Sequence, residues 1–455
     1  MRSTLHWTDT NRNITNKIYE LNSGAKLVEA VNPGSIETYI SFAFGGGYIH
    51  EHAMRLPIGT AHFLEHIMAG NPNKVFKNKK TLDDFKKGNL DKAKIWTNAT
   101  TSWRLLEFYG YTHHTALKRL LKFLFAEIDY PLDRLEEFIE KERGIILSEY
   151  YGKDKKEKST GIAYDKFFFG STYGFVGEYV LGNEDSIKQI STADLTTYYN
   201  NVITADNLVI SIQHPKPLTK AELKSIEEFT NKLAKGKLIT FKAKKIPNKF
   251  KYYAFQKEDT NDIFFSVNRF EPTNPKVDYK ESVLDFFYNR VISELTFKKL
   301  REEKNLIYAG GNNIGYPGIK LKNYYFNSSV RMENFKIFLD ELYELFEHGI
   351  EDFLTSKESD SWFLSEQSTY IYRFNQNYDP DYAVNIGADL LFKQDPVFDF
   401  NNCVPIAKDL TKKDLLNYFK KISSIEPGFW FVSPLPKEDV ENAFKESKLF
   451  KKYQK

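Results

Sequence analysis

The chain has 455 residues, 41% of them hydrophobic and 27% charged, with 38 Phe and 28 Tyr. That length predicts two or more domains, and that composition excludes a disordered chain. The 64 basic and 61 acidic side chains nearly cancel, to a formal +3, which excludes a strong polyelectrolyte partner, and a lone cysteine, Cys403, excludes an internal disulfide and fits a reducing compartment.

Residues 1–9 contain no apolar core, and no apolar run approaches the ~20 residues of a membrane span. The expectation is therefore a cytoplasmic protein with no membrane segment. Lysine runs occur at residues 77–80, 153–158 and 242–251. They are dispersed, and read as solvated loops and element faces rather than as a nucleic-acid footprint.

In chain order, the first strong signal is Tyr39-Ile40-Ser41-Phe42-Ala43-Phe44, a β-prone run that stops at Gly45-Gly46-Gly47. His50 and His52 follow, with a spacing of two that suits a strand rather than a helix. His62 and His66 are four apart and share one face of a helix, with Glu65 at the edge of that face. Two imidazoles so placed can hold one zinc ion and leave a carboxylate to act on a metal-bound water. The third ligand should be a distant His, Asp, Glu or Cys.

The best source for it is a helix predicted to start at Asp133, where Asp133 and Glu136 are spaced as a capping box. Its apolar stripe runs through Leu135, Phe138 and Ile145, and Glu142 and Glu149 continue that spacing, so two carboxylates fall where core residues are expected. An unpaired buried carboxylate is costly, so these positions call for a metal or a cationic partner. Seven residues advance about 10.5 Å along a helix, so one of the pair should ligate and the other should orient a ligand.

Beyond this helix the chain repeats itself weakly. Asp194-Leu195, the run Leu208-Val209-Ile210-Ser211-Ile212 and Pro215-Lys216-Pro217 find counterparts in Asp414-Leu415, Phe429-Trp430-Phe431-Val432 and Pro434-Leu435-Pro436. Each copy reads as helix, strand, proline break and polar helix. The offset, close to half the chain, predicts two related domains, 1–233 and 234–455, joined near Lys235-Gly236-Lys237. Ile263-Phe264-Phe265-Ser266-Val267 is the strand that opens the second half. Where an offset of 220 would put a second histidine motif, the chain reads Ser282-Val283-Leu284-Asp285-Phe286-Phe287-Tyr288. Strands followed by grouped helices predict an α+β fold with helices packed on mainly antiparallel sheets.

His62-Phe63-Leu64-Glu65-His66 followed by the Glu142/Glu149 pair resembles the pitrilysin/insulinase family of zinc metallopeptidases, in its short two-domain form. Two further segments are similar: Thr97-Asn98-Ala99-Thr100-Thr101 to the family's cleft strand, and Arg301-Glu302-Glu303-Lys304-Asn305-Leu306-Ile307-Tyr308 to its Arg with a Tyr seven residues on. The lysine-rich stretch 71–94 is longer than the family's usual connection.

The resemblance implies two related domains, each a mainly antiparallel sheet with helices on one face, and only the first bearing metal. It implies that His62, His66 and Glu149 bind Zn2+, that Glu65 is the general base and that Glu142 supports a ligand. Asn98 and Ala99 would hold substrate backbone by strand addition. Arg301 and Tyr308 would stabilise charge developing on the substrate carbonyl. The activity implied is hydrolysis of peptides or unstructured leader segments inside a chamber formed by two chains, a homodimer or a heterodimer with an inactive relative. The alternative is a catalytically silent member that serves as a binding or scaffold subunit.

Overall fold

The computed structural model describes residues 1–9, 12–152, 155–170, 180–236, 249–273, 276–315, 321–372, 382–391 and 400–454. The chain forms two compact units. The first comprises Met1–Lys155, Glu178–Lys242 and Asn375–Asp399. Its strands are β1 (Arg2–Asp9), β2 (Ile14–Glu20), β3 (Lys26–Val31), β4 (Glu37–Gly45), β5 (Ile95–Thr101), β6 (Leu105–His113) and β7 (Leu208–His214). They lie in the order β1-β2-β3-β7-β4-β6-β5, with β3 and β7 parallel and the other neighbours antiparallel.

Strand alternation sorts the side chains of this sheet onto two faces. Leu27, Ile40, Phe42, Phe44, Leu106, Phe108, Ile210 and Ile212 join the main core, with Phe63, Leu64 and Ile67 from the histidine helix. Val28, Ala30 and Val209 point the other way and pack on Tyr382, Ala383 and Ile386 of the helix Tyr382–Leu391.

The second unit comprises Lys156–Gly177, Ala243–Phe374 and Phe400–Lys455. Its strands β8 (Lys251–Gln256), β9 (Asp262–Pro272), β10 (Ile307–Gly315), β11 (Leu321–Arg331) and β12 (Gly428–Ser433) lie in the order β10-β11-β9-β12-β8, and only β12 and β8 run parallel. Read from its other end, β8-β12-β9-β11-β10 has the same connectivity and the same parallel pair as β3-β7-β4-β6-β5. The repeat seen in the sequence is therefore a repeat of topology. Its two helices, Thr192–Val202 and Lys412–Ser423, even open on the same device, capping boxes formed by Ser191 with Asp194 and by Thr411 with Asp414.

The fold is α+β, with two mainly antiparallel sheets packed with helices. One helix from each half of the chain groups with the other half's strands: Tyr382–Leu391 with the first sheet, and Lys155–Phe169 with the second, where Phe167 and Phe168 meet Tyr253, Trp430 and Phe270. Of the joining stretch 235–237, Lys237 lies outside the described residues. Among the described residues, no helix is long and apolar enough to cross a membrane.

The segment Ser282–Tyr288 lies in the helix Tyr279–Leu295 of the second unit. A lysine occupies the space beside it. Lys322, 4% exposed, places Nζ 2.7 Å from Glu281 Oε1 and 2.7 Å from Asp285 Oδ2. Here two half-buried carboxylates are paired with a buried ammonium.

Candidate metal centre

Two short helices follow β4: α1 (Tyr48–Met54) and α2 (Thr60–Gly70). His50 and His52 thus lie on a helix, not on the strand their spacing suggested. His50 is buried, donates its Nδ1–H to the Gly46 carbonyl at 2.5 Å, and burial pulls its pKa down to about 4. It does not belong to the metal-ligating cluster described below.

The residue between them has a structural task. Glu51, fully buried on α1, accepts from the backbone N–H of Gly59 at 3.0 Å and of Ala61 at 2.6 Å. It thereby satisfies two of the orphan donors at the start of α2 and places a negative charge at the positive end of that helix. Gly59 needs to be glycine: its φ is +98°, and a Cβ there would come within 2.3 Å of the Leu181 carbonyl oxygen. Phe63, Leu64, Ile67 and Met68, all fully buried, fix the rotation of α2. That leaves His62, Glu65 and His66 along one edge.

The carboxylates come from the long helix Leu135–Gly152. It starts after a 3-10 turn, Leu132–Arg134, two residues later than Asp133, and Arg134 pairs with Glu137 there. The buried stripe is Leu135, Ile139, Glu142 and Ile146, while Ile145 is 43% exposed. The stripe follows the 3.6-residue helical period, one position away from the spacing read in the sequence. Glu142 stays on it.

His62 Nε2 and His66 Nε2 lie 3.7 and 3.6 Å from the same oxygen, Oε2 of Glu149. The ligand atoms of these three residues all lie within 4.8 Å of one another. Donors about 2.1 Å from a tetrahedral zinc ion stand about 3.4 Å apart. The spacing, and the donor set of two imidazole nitrogens and one carboxylate oxygen, fit that ion.

Glu142 serves the far side of His66, its Oε2 3.6 Å from Nδ1. That is beyond hydrogen-bond length, so the attraction is electrostatic; it still favours a proton on Nδ1 and leaves Nε2 as the donor atom. The Glu142 carboxylate is itself tethered: Asn71 Nδ2 and Lys141 Nζ each donate to Oε1 at 2.9 Å, and Lys141 also donates to Asn71 Oδ1 at 2.9 Å. Burial works against its charge, but His66, Lys141 and Asn71 outweigh it and hold its pKa down at about 2. Among the protein groups alone, burial lowers the pKa of His66, and the carboxylates of Glu142, Glu65 and Glu149 reverse that into a net rise.

Glu65 belongs to the same edge but not to the three-donor cluster. Thr101 Oγ1 donates to its Oε2 at 2.6 Å. Burial pushes its carboxyl up, partly offset by Thr101 and His66, and Glu149 adds to the rise. Thr101 ends β5, the edge strand of its sheet, so one side of the β5 backbone has no strand neighbour among the described residues. Ala99 is buried on the helix-bearing face, and Asn98 points to the opposite face, where its amide donates to Tyr109 Oη at 3.3 Å.

In the second unit, Arg301 and Tyr308 are adjacent, with the guanidinium carbon 4.9 Å from the tyrosine ring centroid. Tyr308 is 81% exposed. Sequence reasoning missed Glu51, Asn71, Lys141 and the Thr101 bond to Glu65. None has a local signature; each matters through a partner on another element.

No protein-family model and no curated protein sequence matches the chain. Solved structures do. The first half of the periplasmic protease PqqL from Escherichia coli aligns with a TM-score of 0.74 and 16% identity over 95% of this chain and 96% of that one. Pitrilysin aligns with a TM-score of 0.70 and 14% identity over 100% of this chain and 50% of its own. A peptidase M16 inactive domain from Pseudomonas fluorescens aligns with a TM-score of 0.69 and 14% identity over 92% of this chain and 98% of that one. The chain has the two-sheet fold of the pitrilysin, or M16, peptidases and spans about half the length of pitrilysin.

Proposed function

We propose that this chain is a zinc-dependent endopeptidase acting on peptides or unstructured leader segments. The observation that carries the reading is the convergence of His62, His66 and Glu149 at ligand spacing, with a fourth residue, the acidic Glu65, left outside the donor set. Bound by those three residues, zinc supplies Lewis acidity towards a water and a peptide carbonyl.

The chain's own residues supply the proton transfers and the positioning. Glu65, fixed through one oxygen by Thr101, takes a proton from the attacking water and passes it to the leaving amine. The open edge of β5 at Asn98 and Ala99 takes the substrate as an added strand, which selects extended, unfolded backbone. Arg301 and Tyr308 donate to the carbonyl oxygen as charge builds there.

We further propose that the substrate is enclosed in a chamber formed by two chains; the match of this chain to half of pitrilysin supports that reading. A homodimer suffices, because both the zinc residues and the Arg301/Tyr308 pair are present; a heterodimer with an inactive relative is the other arrangement. A cytoplasmic location is part of this proposal: a chain with a single cysteine needs no oxidising compartment for a disulfide of its own. The likeness to an M16 inactive domain favours a second reading, a silent binding subunit. Metal analysis and digestion of a peptide library, read by mass spectrometry, separate the two. The first reading expects one zinc per chain and cleavage that a chelator abolishes and added zinc restores. Full zinc loading without cleavage of any peptide favours the second.

The tether on His66 gives a separate expectation. Glu142→Ala should weaken zinc binding by about 10- to 100-fold, and Asn71→Ala should act in the same direction with a smaller effect. Competition against a chromophoric chelator measures both. Unchanged affinity in Glu142→Ala would remove that residue from the site.

A further inference from the structure

Arg301 has an unusual environment for an arginine. Its neighbours Lys298 and Lys299 are ion-paired, with Glu358 and Glu303. Arg301 meets no carboxylate or carbonyl among the described residues. Its contacts are instead two aromatic rings, Phe297 at 5.0 Å and Tyr308 at 4.9 Å from the guanidinium carbon to the ring centroids. The backbone is built to produce this. Residues Thr296–Glu303 wind as a π-helix at the end of the helix Tyr279–Leu295, a rare local widening that recurs at functional sites. Asn305, at φ +51°, then turns the chain into β10, which returns Tyr308 to Arg301. Phe297, 47% exposed, adds little to the core.

A carboxylate partner would occupy the N–H donors of Arg301 and neutralise its charge. A ring face attracts the cation without neutralising it, and leaves N–H donors available to another acceptor. We propose that Phe297 is a positioning residue, whose ring, with that of Tyr308, holds the Arg301 guanidinium in a fixed orientation with its donors free for substrate. This rests on the peptidase reading above. Ordering the side chain before substrate arrives removes rotamer entropy from the reacting complex, so the benefit belongs to kcat rather than to KM.

The test uses Phe297→Leu, which keeps apolar bulk and removes the ring, and Phe297→Trp, which keeps a ring, both in the zinc-loaded full chain. Phe297→Leu is expected to lower kcat about fivefold or more with KM within about twofold of wild type, and Phe297→Trp to stay near wild type. A second readout is independent of turnover: the Nε–H resonance of Arg301 in arginine-labelled protein, assigned by its loss in Arg301→Lys. Ring currents should displace it in the wild type and in Phe297→Trp, and Phe297→Leu should move it back towards the free value. An unmoved resonance in Phe297→Leu overturns the contact. A moved resonance with unchanged kcat overturns the positioning role. A wild-type chain that holds zinc yet cleaves nothing overturns the peptidase reading, and the positioning role with it, while the resonance still decides whether Phe297 holds the guanidinium.

Discussion

Glu65→Gln is expected to keep one zinc per chain and to lose peptidase activity by about 10²- to 10⁴-fold, the range general acid–base catalysis supplies. The two halves of this result have separate causes. Zinc is retained because Glu65 is not among the three converging donors, and because glutamine keeps the volume and an oxygen that accepts the Thr101 hydroxyl. Activity is lost because an amide cannot take a proton from water at neutral pH. Glu65→Ala is the poorer experiment, since it opens a void beside α2 and leaves Thr101 without its acceptor. Metal analysis and a fluorogenic peptide assay on one preparation read both halves. A metal-loaded, fully active Glu65→Gln chain would end the assignment of Glu65 as the base.

The sequence made the centre of this site legible because its chemistry is concentrated in local patterns. A spacing of four puts His62 and His66 on one helix face whatever surrounds them, and a carboxylate on an apolar stripe stands out at Glu142 and Glu149. The errors arose where tertiary partners decide. The spacing of His50 and His52 suits a strand because it carries no trace of what Glu51 does between them: its carboxylate caps α2, and α1 is the element that delivers it. The stripe of the long helix falls on Ile146 rather than on the Ile145 of the sequence spacing, because a spacing of seven drifts against a period of 3.6. Nothing in the sequence pointed to the helices Lys155–Phe169 and Tyr382–Leu391 packing on strands from the other half of the chain, since such contacts leave no local periodicity. The same limit explains the second unit. Its lack of a histidine motif is plain in the sequence, but only the fold shows that the buried Lys322 is paired with Glu281 and Asp285 of that helix.

Mixing a Glu65→Gln chain with a Tyr308→Phe chain is expected to restore activity that neither has alone. Tyr308→Phe should cost about 10²- to 10³-fold, the usual effect of removing one oxyanion donor. If Arg301 and Tyr308 act on the zinc site of a second copy, a mixed dimer contains one complete site: the intact Glu65 of the Tyr308→Phe chain, served by the intact Tyr308 of its partner. Such a dimer, isolated by two affinity tags, should show about half the wild-type activity per dimer, as one working site of two requires. If the pair acts within its own chain, each half of the mixed dimer carries a lesion and nothing is recovered. The exposure of Tyr308 and the uncommitted donors of Arg301 suit delivery to another chain, because neither side chain is engaged by a polar partner among the described residues. A mixed dimer no more active than Tyr308→Phe alone would assign both residues to their own subunit and remove the requirement for a second catalytic chain.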